Sequence, residues 1–171
     1  MRIGGGAVSI ADVTDRALRD LGFVRPFWLN EIRAGRGFVH SVRLAASVGN
    51  NGHVQLFNPA ASGITVLVKR LSHSSGGAPL AHMTQHNTEL TTDAGAGVNL
   101  LSGGGAAAAH LRSVDNSGVL GTIIGNHEIP ATTPLLWFDD WFMELGEGEG
   151  LVAVNGSVNV SINATFFWIE L

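Results

Sequence analysis

The fold is decided by the C-terminal run SVNVSINATFFWIE, residues 157–170. Apolar residues occupy every second position from Val158 to Trp168, and Ser, Asn and Thr fill most of the positions between them. Successive side chains of a β-strand point to opposite faces of its sheet. We therefore expect a strand with one face in the core, Trp168 included, and a ladder of polar side chains on the other face.

The same two-residue period recurs earlier in the chain. Residues 38–48 alternate apolar and polar side chains, and the apolar segments 53–57 and 64–71 each follow a turn signal rich in Asn, Gly or Pro. About eight strands at such spacings, with almost no helix, predict an all-β fold, namely an antiparallel β-sandwich or jelly roll. Residues 74–110 are rich in Ser, Gly, Ala, Thr and His, and there we expect long loops with one or two short strands.

The N-terminal residues differ in character from the rest. Residues 11–21 carry apolar side chains at helical spacing with Gly22 after them, which predicts one short amphipathic helix. The apolar segment that follows is expected to be buried against the body or a neighbouring subunit. We therefore predict an N-terminal arm, residues 1–35, and a jelly-roll-like β-sandwich domain, residues 36–171. The arm residues expected to contact a partner are Phe23, Phe27, Trp28, Leu29 and Ile32.

Composition limits the classes of function. Of the 171 residues, 45% are hydrophobic and only 14% are charged, against about 25% charged in a typical domain, so much of the surface should be uncharged. The net charge of −4 and the scattered Lys and Arg argue against nucleic acid as a partner. The lack of Cys excludes disulfides and thiolate metal sites. With neither a signal-peptide pattern nor a long apolar run, we expect a protein that is made in the cytoplasm and not inserted into a membrane.

The histidines offer the strongest metal-binding pattern. His82 and His86 have the i, i+4 spacing of a zinc-binding pair on a helix, but no Glu follows His82 and the flanking residues do not predict a helix. An exposed loop is the favoured interpretation. The other five lie on separate segments and are interpreted mostly as surface or interface residues that could make assembly pH-sensitive. They are His40, His53, His73, His110 and His127.

The acidic residues near the C-terminus also favour a structural interpretation. They lack the alternating spacing of a calcium loop and predict a solvated acidic rim. Two adjacent acids on a strand point to opposite faces, so they cannot act as the paired carboxylates of a glycoside hydrolase. Residues 103–105 form no phosphate loop, and no G-x-S-x-G motif is present. We therefore predict no catalytic residue, no metal site and no cofactor. The acids concerned are Asp139, Asp140, Glu144, Glu147 and Glu149.

Two groups of residues resemble small structural proteins of tailed bacteriophages. The first is HVQLFNPAASGITVLVKRL, residues 53–71, in which a strand ending in Asn-Pro leads through a Ser-Gly turn into the next strand. The second is GEGEGLVAVNGSVNVSINATFFWIEL, residues 146–171, with a Gly-rich turn, an apolar strand and a strand ending in aromatic-x-Glu. The matching positions are Asn58, Pro59, Ser62, Gly63, Gly148, Gly150, Leu151, Val152, Asn159, Trp168 and Glu170.

This resemblance covers most of the chain from about residue 36 and implies a non-enzymatic virion component. The first choice is a capsid decoration (cement) protein that stabilises the capsid lattice; a small tail-associated protein is the other. The implied partners are the major capsid protein or neighbouring virion proteins, within a homo-oligomer for which a trimer is favoured. Nucleic acid and membrane are not expected as partners.

The runner-up function is a tail-associated or receptor-binding β-sandwich that binds host glycans. Exposed Trp stacks on sugar rings, whereas buried Trp fills a sandwich core. Trp137 and Trp141 have the same parity, and the core interpretation is favoured for both. A hydrolase is the least favoured class, because it would need titratable groups brought together from distant strands.

Overall fold

The computed structural model describes residues 27–77, 80–129, 134–138 and 143–171. Within these ranges it contains one helix, α1 (Phe27–Arg33), and twelve strands. The strands, in chain order, are β1 (Gly37–Leu44), β2 (Asn51–Phe57), β3 (Val66–Ser75), β4 (Leu80–Gln85), β5 (Thr92–Ala96), β6 (Val98–Asn99), β7 (His110–Asn116), β8 (Thr122–Glu128), β9 (Leu135–Phe138), β10 (Met143–Leu145), β11 (Gly150–Asn155) and β12 (Ile162–Glu170).

The strands form two antiparallel sheets with a shared apolar core. Sheet A has the order β10-β3-β12-β1-β6, with β9 also paired to β3, and sheet B has the order β5-β7-β2-β11-β4-β8. The core draws on both sheets, so the predicted all-β antiparallel sandwich is confirmed, while the narrower jelly-roll topology stays a prediction. Core side chains include Phe38, Leu71, Phe166 and Trp168 of sheet A and Val54, Leu56, Leu111 and Leu151 of sheet B.

The C-terminal run forms the central strand of sheet A. β12 pairs with β1 on one side and β3 on the other, and its alternate residues from Ile162 to Trp168 are fully buried. The Trp168 ring stacks on Phe38 with 5.8 Å between ring centroids. The predicted alternation is therefore confirmed within the strand. The alternation does not hold ahead of β12, because residues 156–161 form the turn after β11 and leave Val158 exposed.

Two other predicted strand regions also need correction. β1 ends at Leu44, and Val48, which was counted with its apolar face, is 94% exposed in the turn closed by the Asn50 N–H bond to the Ser47 carbonyl. The described part of residues 74–110 contains three complete strands rather than one or two. β4 was hidden in the sequence because it is buried with small and polar side chains, Ala81, His82 and Thr84 among them.

Helix α1 occupies the region that was predicted only as an apolar segment. Pro26 precedes it in the sequence, and proline is tolerated at a helix start because the first N–H groups have no intrahelical acceptor. It ends at Arg33, and Gly35 two residues later has a φ of 76°, which suits glycine just beyond a helix C-terminus. The amphipathic helix predicted over residues 11–21 lies outside the described residues. Among the described residues, no helix is long and apolar enough to cross a membrane.

Candidate functional site

An apolar surface lies where α1 meets sheet A. Ile32 packs directly on the start of β1, since a Cβ placed on Gly37 would come 2.5 Å from the Ile32 Cγ1 atom. The segment after β6 lies against the helix end, because the Asn99 amide donates to the Gly35 carbonyl at 2.8 Å and the Leu100 N–H donates to the Gly37 carbonyl at 2.9 Å. We call the apolar side chains of α1, of β6 and of the segment just after β6 the α1 patch: Phe27, Trp28, Ile32, Val98, Leu100 and Leu101.

An ion pair and backbone bonds hold α1 on the sandwich. The buried Glu31 carboxylate accepts from the Arg36 Nε atom at 2.6 Å, and the Arg36 N–H donates to the Glu31 carbonyl at 2.9 Å. The Arg36 carbonyl in turn accepts the Glu170 N–H of β12 at 2.9 Å. The helix is therefore tied to the central strand of sheet A rather than standing free.

A cavity of about 490 Å³ opens between α1 and the outer face of sheet A, the face turned away from sheet B. Apolar side chains make most of its wall and polar side chains of β3 and β12 make the rest. The apolar ones are Trp28, Ile32, Val39, Leu100 and Phe167, and the polar ones are Arg70, Ser72 and Thr165.

The structure places four of the five predicted partner-contacting residues on α1. Phe27 is 46% exposed, whereas Trp28, Leu29 and Ile32 are half-buried. Phe23 lies outside the described residues. Trp28 and Ile32 line the cavity, and the sheet residues that complete it were not predicted.

One of the cavity residues that were not predicted, Phe167, could have been recognised from the sequence pattern. Phe167 stands at a position of β12 where the alternation calls for a polar side chain, on the same face as Asn163 and Thr165. An aromatic residue on a polar strand face marks a contact made outside the core. Arg70 and Leu100 had no such signal, because only the strand order brings them beside α1.

The two turns that carry the phage resemblance contact each other. We call residues 58–63 and 146–150 together the turn junction. The buried Asn58 amide donates to the carbonyls of Ile64 at 3.0 Å and Leu145 at 3.2 Å, and its Oδ1 atom accepts from the Ser62 hydroxyl at 2.7 Å. The Asn58 N–H and carbonyl also bond across the junction, to the Glu149 carbonyl and the Gly148 N–H. These residues therefore have a structural role.

Glu147 and Glu149 belong to this junction. Glu147 is exposed, as the predicted solvated rim requires, whereas Glu149 is half-buried, and both carboxylates also accept backbone N–H groups, which was not predicted. The Glu147 carboxylate accepts from the backbone N–H groups of Ala61 at 3.1 Å and Gly63 at 2.8 Å. Glu149 accepts from the Gly146 N–H at 2.7 Å. Glu144 is exposed, as predicted. Asp139 and Asp140 lie outside the described residues.

The Glu of the aromatic-x-Glu motif is a buried carboxylate with a structural role. Glu170 accepts from the backbone N–H groups of Ala108 and Ala109, each at 3.0 Å, and from the Trp168 indole at 3.1 Å. Three donors satisfy the charge where a buried carboxylate would otherwise be costly. The bonds fix the segment before β7 against sheet A.

The histidine predictions are partly wrong, because three of these residues are buried. His82 lies in β4, not in an exposed loop, and hydrogen-bonds the Asn126 side chain of β8. His86 follows β4 and is half-buried, so the pair does not share a helix face. In the parts of the chain that the structure describes, no three His, Asp or Glu residues are grouped to hold a metal ion.

His53 and His73 are fully buried rather than on the surface. The His73 Nε2 atom donates to the Asn155 Oδ1 atom of the opposite sheet at 2.8 Å, and burial lowers the pKa of His73 to about 4 despite this bond. The His53 Nδ1 atom donates to the Asn51 carbonyl at 3.0 Å, and burial lowers the pKa of His53 as well. Burial therefore favours the neutral form of both rings.

The remaining histidines, His40, His110 and His127, keep at least partial exposure. His110 bonds the Glu89 carboxylate at 2.8 Å, and Arg112 pairs with the same carboxylate. These contacts lie on the surface, so they match the predicted surface role.

Trp137 gives no open platform for a sugar ring. It is half-buried between the sheets and meets His127 edge-on, with 6.0 Å between ring centroids. Its buried indole Nε1 atom has no hydrogen-bond partner among the described residues. Trp141 lies outside the described residues.

No protein-family model, curated protein or solved structure matches the chain. The functional proposal therefore rests on the described residues and on the resemblance of the two turns.

Proposed function

We propose that this protein is a non-enzymatic structural component of a tailed-phage virion, in first place a capsid decoration protein that stabilises the lattice through the α1 patch. The major capsid protein or a neighbouring virion protein is the proposed partner, and a homo-oligomer, with a trimer favoured, is the proposed form. The observation that carries this proposal is the α1 patch itself.

Isolated exposed apolar residues are common on proteins, but a grouped set needs a reason. In the α1 patch, Val98 is 61% exposed, Phe27 46%, Leu100 41% and Leu101 39%. Permanent interfaces resemble a core that has been divided in two, which is the character of this surface. Many copies bound to one symmetric lattice also gain from avidity.

We propose no catalytic role because three buried ionisable groups already make contacts within the chain. The carboxylates of Glu31 and Glu170 and the ring of His73 each bond a partner within the chain. None of them lines the cavity beneath α1. All three groups therefore have the contacts that a structural role requires.

The test begins with the solution mass by light scattering and continues with co-sedimentation on expanded empty capsids of the phage that encodes the chain. We expect a closed oligomer that saturates the capsids at a fixed ratio. The double variant Val98→Ser/Leu101→Ser should weaken capsid binding at least tenfold, because it removes two exposed apolar side chains from the interface.

Val48→Ser is the matched control, since Val48 is 94% exposed and follows the end of β1 that is opposite α1. It should bind like the wild type. Equal binding by the patch variant and the wild type would remove the α1 patch from the proposal. If neither the wild type nor the patch variant bound the capsids, we would propose a tail-associated role instead.

A further inference from the structure

Among the described residues that line the cavity beneath α1, Arg70 is the one that carries a charge. Arg70 is exposed on the outer face of β3 and forms no hydrogen bond or ion pair with any residue that the structure describes. Ser72 follows on the same face, and its neighbour across the ladder is Thr165. The Thr165 hydroxyl already bonds the Ser41 hydroxyl at 2.7 Å, which leaves Arg70 and Ser72 as the available polar groups.

The rest of the described wall is apolar and comes from four separate parts of the chain, one of which is β1 with Val39. Trp28 lies on α1, Phe167 on β12 and Leu100 just after β6. The volume of about 490 Å³ lies in the range typical of small-molecule sites. The cavity therefore joins an apolar wall to one cationic corner, and this asymmetry specifies the chemistry of an occupant.

We propose that this cavity binds a small amphipathic carboxylate, with its charged group at Arg70 and Ser72 and its apolar body between Trp28 and Phe167. A guanidinium matches a carboxylate in shape and charge, and one guanidinium matches a monoanion. An amphiphile with a neutral head keeps the apolar contacts and neutral hydrogen bonds but loses the charge-assisted pair with Arg70, and one with a cationic head is repelled. This binding site goes beyond the proposed virion role and does not depend on it.

The test uses the full chain with three probes that share one alkyl tail, octanoate, octan-1-ol and octylammonium, in isothermal titration calorimetry. We expect octanoate to bind in the millimolar range, octan-1-ol about three- to tenfold more weakly, and octylammonium more weakly still. Each methylene added to the acid should tighten binding by about two- to fourfold. In two-dimensional NMR the Trp28 indole signal should shift, while the buried Trp168 signal should not.

Two variants separate the two halves of the site. Arg70→Gln should reduce octanoate affinity to that of octan-1-ol and leave octan-1-ol affinity unchanged. Phe167→Thr should weaken the binding of octanoate and octan-1-ol to the same extent, because it removes an apolar side chain from the cavity wall. Arg43→Gln is the matched control, since Arg43 lines a different depression on the same sheet face. It should bind like the wild type.

The proposal is overturned if octanoate does not bind, if Arg70→Gln retains the preference for the acid, or if Arg43→Gln loses that preference equally. Circular dichroism and the urea midpoint confirm that each variant is folded. Because the isolated protein is sufficient for these titrations, their outcome is separate from that of the capsid experiment.

Discussion

The turn junction and the α1 patch lie on one sandwich but leave different groups exposed. At the junction, Asn58 and Glu147 satisfy backbone and side-chain partners within the chain. At the α1 patch, apolar side chains such as Val98 and Phe27 remain exposed. The first region therefore stabilises the fold, and the second is the surface that the proposed function uses for binding. Variants should therefore separate stability from binding according to the region they change.

The largest expected effect is on stability, at the junction. Asn58→Ala removes the donor for the Ile64 and Leu145 carbonyls and the acceptor of the Ser62 hydroxyl. Leaving such buried groups unpaired should lower the free energy of unfolding by about 4 kcal/mol, measured by urea denaturation. Asn87→Ala, at an exposed position, is the control and should change it by less than about 0.5 kcal/mol.

The α1-patch variant Val98→Ser/Leu101→Ser completes this comparison, because it should leave the urea midpoint unchanged while it weakens capsid binding. A loss of stability as large as that of Asn58→Ala would show that the patch belongs to the fold. The distinction between the two regions would then fail.

The second effect is a loss of stability in acid. The pKa of His73 is about 4 in the folded protein and 6.5 in the unfolded chain, so only the unfolded state takes up this proton as the pH falls between them. Stability should be full above pH 6.5 and should decrease towards pH 4, by up to about 3 kcal/mol from this residue. The lowered pKa of His53 acts in the same direction.

His73→Gln provides the check, because Gln keeps a donor for the Asn155 Oδ1 atom and does not titrate. Its unfolding free energy, measured by urea denaturation at several pH values, should fall less steeply from pH 6.5 to 4 than that of the wild type. His127→Gln, at an exposed histidine, should retain the wild-type slope. A wild-type slope in His73→Gln would assign the acid sensitivity to another group.

Much of the sandwich was predictable because its signals are local. The alternation in β12 placed Trp168 in the core, and the Asn-Pro and Ser-Gly signals located the turn after β2. Helix α1 was not predicted, since seven residues around two aromatic side chains give too little periodicity. β4 was missed because its buried side chains are not mainly large and apolar.

The interior polar contacts and the cavity were not predictable from local pattern. His73 and Asn155 are 82 residues apart in sequence and meet only because the two sheets pack together. Arg70 and Trp28 likewise share a cavity only through the strand order of sheet A. Phe167 was the exception, because it interrupts a polar strand face and so carries a local signal of an outside contact.

The smallest of these effects returns to the junction. Glu147→Gln keeps the shape of the side chain but removes the charge that accepts the Ala61 and Gly63 N–H groups. Since this carboxylate is exposed, the expected loss in unfolding free energy is only about 1 kcal/mol by urea denaturation. Glu144→Gln, also exposed and a short distance earlier in the chain, should cause no change. Neither variant should alter capsid binding, because both lie outside the α1 patch; weakened binding by Glu147→Gln alone would place the turn junction in the interface as well.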